Sequence, residues 1–87
     1  MDKKEIKSGV IQCLIDNDYI DRDYNIVDST SFAEDLAFDS LDRLEFAMQL
    51  ENYFSIQILD DDLFNPEVKH ATLADVCSYL EKILIND

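Results

Sequence analysis

Ile6, Val10, Cys13 and Leu14 recur at i, i+4, i+7 and i+8, which predicts an amphipathic helix over about Lys3 to Asp16 with one buried stripe. Gly9 stands in its middle and costs about 1 kcal/mol relative to alanine, so this helix must rest on packing rather than propensity. A second helix is predicted over about Leu41 to Phe54. At about 100° per residue, Phe46, Ala47, Leu50 and Phe54 share one face. Asp42, Glu45, Gln49 and Asn52 share the opposite face, with Leu41 and Met48 on its border. A last helix begins at Thr72-Leu73-Ala74-Asp75 and buries Leu73, Val76, Cys77, Leu80 and Leu84. Before it, Asp60-Asp61-Asp62 is placed to cap a short helix covering Leu63 and Phe64, stopped by Pro66. No stretch alternates like a strand over a useful length; Ser55 to Leu59 comes nearest and is too short. The expectation is an all-α chain, a small four-helix bundle of three longer helices and one short one, in a single domain over residues 1–87.

The stretch from Asn17 to Asp39 has no strong period and is long for a connection in a compact domain. It is rich in Asp, Asn and Ser, yet carries Tyr19, Ile20, Tyr24, Ile26, Val27, Phe32 and Leu36, so it reads as a loop pinned to the core. Ser31-Phe32-Ala33-Glu34 has capping-box spacing and predicts a short helical turn.

Composition narrows the function classes. Twenty acids against seven bases give the 87-residue chain a net charge of −13, which repels nucleic-acid phosphates and anionic membrane surfaces and favours partners with basic patches. No apolar run approaches a membrane span, and the first residues lack a secretory apolar segment, so a cytoplasmic protein without membrane insertion is expected. The charge also favours a monomer. Cys13 and Cys77 lie on apolar helical faces without C-x-x-C spacing, as two unpaired core thiols would. One histidine, His70, cannot build a metal site or a triad alone. Asp60-Asp61-Asp62 lacks the alternating ligands, central glycine and distal glutamate of a calcium loop, so no metal is assigned.

The remaining chemistry concentrates at Ser40. A serine nucleophile for catalysis needs a base held by a third group, and a chain with one histidine and one glycine offers neither a triad nor a glycine-flanked elbow. No catalytic residue is therefore assigned, and an enzyme is not expected. At a helix start Ser40 is open to two compatible roles, capping the helix or carrying a phosphodiester that meets the free N–H groups and positive end of the helix.

Asp39-Ser40-Leu41, followed in register by Asp42, Leu44, Glu45, Met48, Glu51 and Phe54 and preceded by Phe32-Ala33-Glu34-Asp35-Leu36, resembles the acyl carrier protein family around its modified serine. The resemblance extends from the first helix to about Leu84. It implies a 4′-phosphopantetheine arm, taken from coenzyme A, on Ser40, with acyl groups carried as thioesters for fatty acid, polyketide or related lipid biosynthesis. It also implies a docking surface of Asp39, Leu41, Asp42, Glu45, Met48 and Glu51. The partners implied are a phosphopantetheinyl transferase and acyl synthases and acyltransferases with basic docking patches. Residues 34–62 hold nine acids against the single Arg43, net −8, in agreement with such partners. A pocket between helices, lined by Phe46, Leu50, Phe54, Leu63, Val68, Leu73 and Val76, would shelter apolar cargo.

Three positions depart from the family's pattern. Ala37 stands where the family usually has glycine, Arg43 where it usually has a small or β-branched residue, and the Asn65–Ala71 connection is longer than in compact members. Arg43 is expected to lay its stem over the pocket mouth and pair its head with Asp39. Rival readings are an aminoacyl or peptidyl carrier, whose serine typically follows glycines and whose next helix is less acidic, an unmodified helical adaptor with the same fold, and an acidic mimic of nucleic acid.

Overall fold

In the computed structural model, residues 2–58 and 72–85 are described. They hold three α-helices, α1 (Lys3–Asp16), α2 (Ser40–Phe54) and α3 (Leu73–Leu84), and no strand. The short helix expected over Leu63 and Phe64 and the Asn65–Ala71 connection lie outside the described residues.

Each helix begins where a side chain can accept from its first turn. Asp2 accepts from the Glu5 N–H at 2.8 Å to start α1. Thr72 and Asp75 form a reciprocal capping box for α3, at 3.2 and 3.0 Å. The stripe of α1 buries Ile6, Val10, Cys13 and Leu14 as expected, and Gly9 with them. Phe46, Ala47, Leu50 and Phe54 bury the inner face of α2. Leu73, Val76 and Leu80 do so for α3, with Cys77 and Leu84 half-buried.

The first helix packs against both others. Its N-terminal half meets the C-terminal end of α2, because an ideal Cβ on Gly9 would stand 2.6 Å from Phe54 Cζ and 2.7 Å from Tyr53 Cε1. Lys3 Nζ lies 4.0 Å from Glu81 Oε1, so α1 and α3 also run antiparallel. Gly9 is therefore a close-approach residue. Tyr53 is exposed enough to swing away, but Phe54 is buried and must displace its neighbours. Gly9→Ala is expected to lower stability by about 1 kcal/mol, the overpacking cost exceeding the gain in helix propensity. Thermal unfolding measures it; a melting temperature raised by the substitution would show that propensity wins.

The long loop joins the core as the sequence suggests. Ile20, Phe32 and Phe38 are buried, and Tyr19, Ile26 and Leu36 are half-buried, whereas Tyr24 and Val27 face solvent. The turn at residues 31–35 forms with a changed partner: Ser31 Oγ accepts from the Glu34 N–H at 3.1 Å, but Asp35 rather than Glu34 accepts from the Ser31 N–H, at 2.7 Å. The loop also reaches α3. The Leu73 and Ala74 N–H groups donate to the carbonyls of Thr30 and Asp28, each at 3.0 Å, beside an isolated bridge between Ser31 and Thr72. Lys7 Nζ holds Asp28 Oδ1 at 2.8 Å, tying the same corner to α1.

Candidate functional site

Four residues bring the chain from the loop into α2. Ala37 takes a left-handed conformation, with φ 57°, at the position where the family favours glycine. That conformation costs an alanine roughly 1 kcal/mol or more and must be held by its surroundings. Phe38 then turns inward and is buried, and Asp39 turns outward and is exposed. Asp39 is the N-cap: its Oδ1 accepts from the Asp42 N–H at 2.8 Å, while Asp42 Oδ2 accepts from the Asp39 N–H at 3.1 Å. Ser40 is the first helical residue, so the capping role considered for it belongs to Asp39. Either residue type caps well; burial of Phe38 decides which one stands at the boundary.

The same box corrects the expectation for Arg43. Asp39 folds back on the first turn, and among the described residues the ion pairs are Lys3–Glu81 and Lys7–Asp28, not Arg43–Asp39. Arg43 is half-buried.

Beyond Ser40, α2 presents a mixed face. Leu41 is 62 % exposed, Leu44 46 % and Met48 61 %. At about 100° per residue these three fall within about 60° of one another, an apolar stripe bordered by acids. Leu44 belongs to this stripe although the sequence reading left it off the docking surface. Its position, about 160° from Phe46 on the wheel, was the available signal. Asp39 and Glu45 are exposed and Asp42 half-buried. Glu45 Oε2 accepts from the Tyr19 hydroxyl at 3.4 Å. Burial, and then the nearby carboxylates of Glu45, Asp42 and Asp39, keep the Tyr19 phenol protonated to higher pH than usual. Glu51 stands apart at the far end. It is half-buried and accepts from the Ile58 N–H at 3.3 Å, which fastens the chain leaving α2.

Tyr19, Phe32, Phe38 and Phe46 gather beneath this end of α2. Tyr19 and Phe38 have ring centroids 4.7 Å apart, Phe32 and Phe38 5.4 Å, and Phe38 and Phe46 5.8 Å. Of the residues assigned to an acyl pocket, Phe46, Leu50, Phe54, Leu73 and Val76 all lie in the shared core, and Leu63 and Val68 fall outside the described residues.

The family model for the phosphopantetheine attachment site matches residues 9–80. The chain is also 36 % identical, over 81 residues, to an acyl carrier protein of Lactobacillus acidophilus, an alignment covering 93 % of this chain and 95 % of that protein. The chain belongs to the acyl carrier protein family. It is a carrier that uses a 4′-phosphopantetheine prosthetic group. The residues present fit such a group. Asp39 and Asp42 satisfy the start of α2 between them, so a substituent on the first helical residue removes no cap, and the flanking Asp39 and Leu41 are exposed.

Both protein thiols are free, as expected, Cys13 buried and Cys77 half-buried. Burial pushes Cys13 up to about 11, helped by Asp16, and burial pushes Cys77 up to about 11 against the opposing charge of Lys7. Alkylation of the native apo-carrier at pH 8 is expected to run on the order of 100-fold slower than in denaturant, because the thiolate is the reactive form. Equal rates would contradict this. The same shifts set a pH dependence. Between about pH 9 and 11 the unfolded chain ionises these thiols and the folded chain does not, so stability falls as pH rises through that window.

Proposed function

We propose that Ser40 is the attachment residue and that the carrier serves fatty acid, polyketide or related lipid biosynthesis without catalysing a step itself. The observation that carries the reading is the placement of Ser40 as the first residue of α2, directly after the exposed Asp39 cap and beside the exposed Leu41, Leu44 and Met48. Ser40 Oγ would attack the phosphorus of coenzyme A that bears the pantetheine, forming the phosphodiester as the pyrophosphate bond breaks and adenosine 3′,5′-bisphosphate leaves, with the serine proton passing to a base of the transferase. The Asp39 carboxylate beside Ser40 accepts from the Asp42 N–H, a hydrogen bond that caps the helix. Once attached, the arm supplies a thiol that holds acyl groups as thioesters.

Asp39, Asp42 and Glu45 would steer basic patches of the phosphopantetheinyl transferase, synthases and acyltransferases toward Ser40, and Leu41, Leu44 and Met48 would hold them there. Glu51, engaged at the end of α2, would add charge to that field rather than a direct contact. Phe46, Leu50, Phe54, Leu73 and Val76, with Leu63 and Val68, would line the shelter for apolar cargo, and a short helix after Asp62 would complete a four-helix bundle in one domain over residues 1–87. No helix of the described residues is long and apolar enough to cross a membrane, and the acidic charge fits a cytoplasmic monomer.

The test is intact mass after incubation with coenzyme A and a broad-specificity phosphopantetheinyl transferase, followed by peptide mapping. The expected result is a gain of one arm, placed on Ser40. No gain beside a modified control carrier would favour the unmodified adaptor.

A further inference from the structure

The start of α2 has its capping box but few buried side chains to hold it to the core. Asp39, Leu41, Leu44 and Glu45 are exposed and Asp42 and Arg43 only half-buried, so the first buried side chain known within the helix is Phe46, six residues beyond Ser40. Helix starts lack intrahelical acceptors for their first N–H groups and fray unless something outside the helix fixes them. Here that is Phe38. Its ring packs against Tyr19, Phe32 and Phe46, so it joins the segment after α1, the turn before α2 and the second turn of α2 itself. Its N–H donates to the Phe32 carbonyl at 2.9 Å. The left-handed Ala37 reverses the chain so that Phe38 points in and Asp39 points out.

We propose that Phe38 is a positioning residue for arm transfer, an inference that rests on Ser40 being the acceptor. The ring fixes the height and direction at which Ser40 leaves the core, and thereby the distance its hydroxyl must keep from the reacting phosphorus in the transferase complex. The acidic and apolar residues of α2 that meet the partner are on the helix beyond it. Loosening the anchor therefore leaves Leu44, Glu45 and Met48 in place to hold the partner and misplaces the first turn that carries the acceptor. A misplacement of about 1 Å costs on the order of 100-fold in rate.

The experiment measures steady-state arm transfer to wild type, Phe38→Ala, Phe38→Leu and Val10→Ala, the last a buried α1 residue outside the ring cluster, at a temperature where each is folded by circular dichroism. Phe38→Ala is expected to lower kcat by about 10- to 100-fold with KM within about twofold. Phe38→Leu should recover most of the loss while staying severalfold below wild type, and Val10→Ala should transfer at the wild-type rate. A loss confined to KM, or a Phe38→Ala carrier that matches Val10→Ala, would overturn the proposal. Should Phe38→Ala fail to fold, Phe38→Leu decides: wild-type kcat in that variant overturns the positioning role, and a severalfold lower kcat at unchanged KM supports it. Wild type that accepts no arm while a control carrier does would overturn the assignment of Ser40, and the positioning role with it. Modified wild type with an unaffected Phe38→Ala removes the positioning role alone.

Discussion

Ser40→Ala is expected to accept no arm at all and yet to melt close to wild type. The first half follows from the proposed acceptor: without Oγ there is no atom to form the phosphodiester, so the effect is absolute rather than graded. The second half follows from the cap. If Ser40 capped α2, its loss would cost about 1 kcal/mol. Because Asp39 and Asp42 close the box between them, the fold should change by less than about 0.5 kcal/mol. Asp39→Ala gives the complementary result, a loss of about 1 kcal/mol with Ser40 still present. Intact mass and thermal unfolding on the two variants separate the roles. Any residual arm on Ser40→Ala would move the attachment site elsewhere, and a melting temperature for Ser40→Ala as low as that of Asp39→Ala would return the cap to Ser40.

Phe46→Ala is expected to remove a large share of the stability. The side chain has no exposed surface, and its ring meets Tyr19, Phe32 and Phe38 at 5.8, 5.6 and 5.8 Å. Emptying such a site typically costs 3–5 kcal/mol, from a total of roughly 4–13 kcal/mol for a chain of this size. The loss falls on both sides of the core, because the loop segments holding Tyr19, Phe32 and Phe38 pack on this one ring. The melting temperature should fall by roughly 12–40 °C, at about 4–8 °C for each kcal/mol in a domain this small. Phe46→Leu, which keeps much of the volume, should cost far less. A Phe46→Ala carrier within a few degrees of wild type would mean that the rings close over the gap.

Helix extents were legible in the sequence because they rest on signals within a few residues: the stripe of α1, the stop after Phe54 and the Thr72 box appear in the structure where the periodicity and the spacing put them. The start of α2 was one residue out because Asp39 and Ser40 are both good caps. Only the burial of Phe38, a contact with residues 19, 32 and 46, separates them. Arg43 does not pair with Asp39, whose carboxylate folds onto the first turn of α2, an orientation that spacing along the helix does not record. Gly9 looked like a weakness in α1. Its use depends on a ring of another helix, which no local pattern records.

The two carbonyls that the loop lends to α3 change how this region comes apart. First-turn amides normally exchange with solvent early, since nothing in their own helix covers them. In α3, Leu73 donates to Thr30, Ala74 to Asp28, and Asp75 to the Thr72 hydroxyl, so each has an acceptor fixed from outside. Fraying from this end must break the bonds to residues 28 and 30, and Asp28 is paired in turn with Lys7 at the surface. Loop and helix are thus expected to open together, with the amides of residues 73 and 74 exchanging at the pace at which residues 28–30 come away.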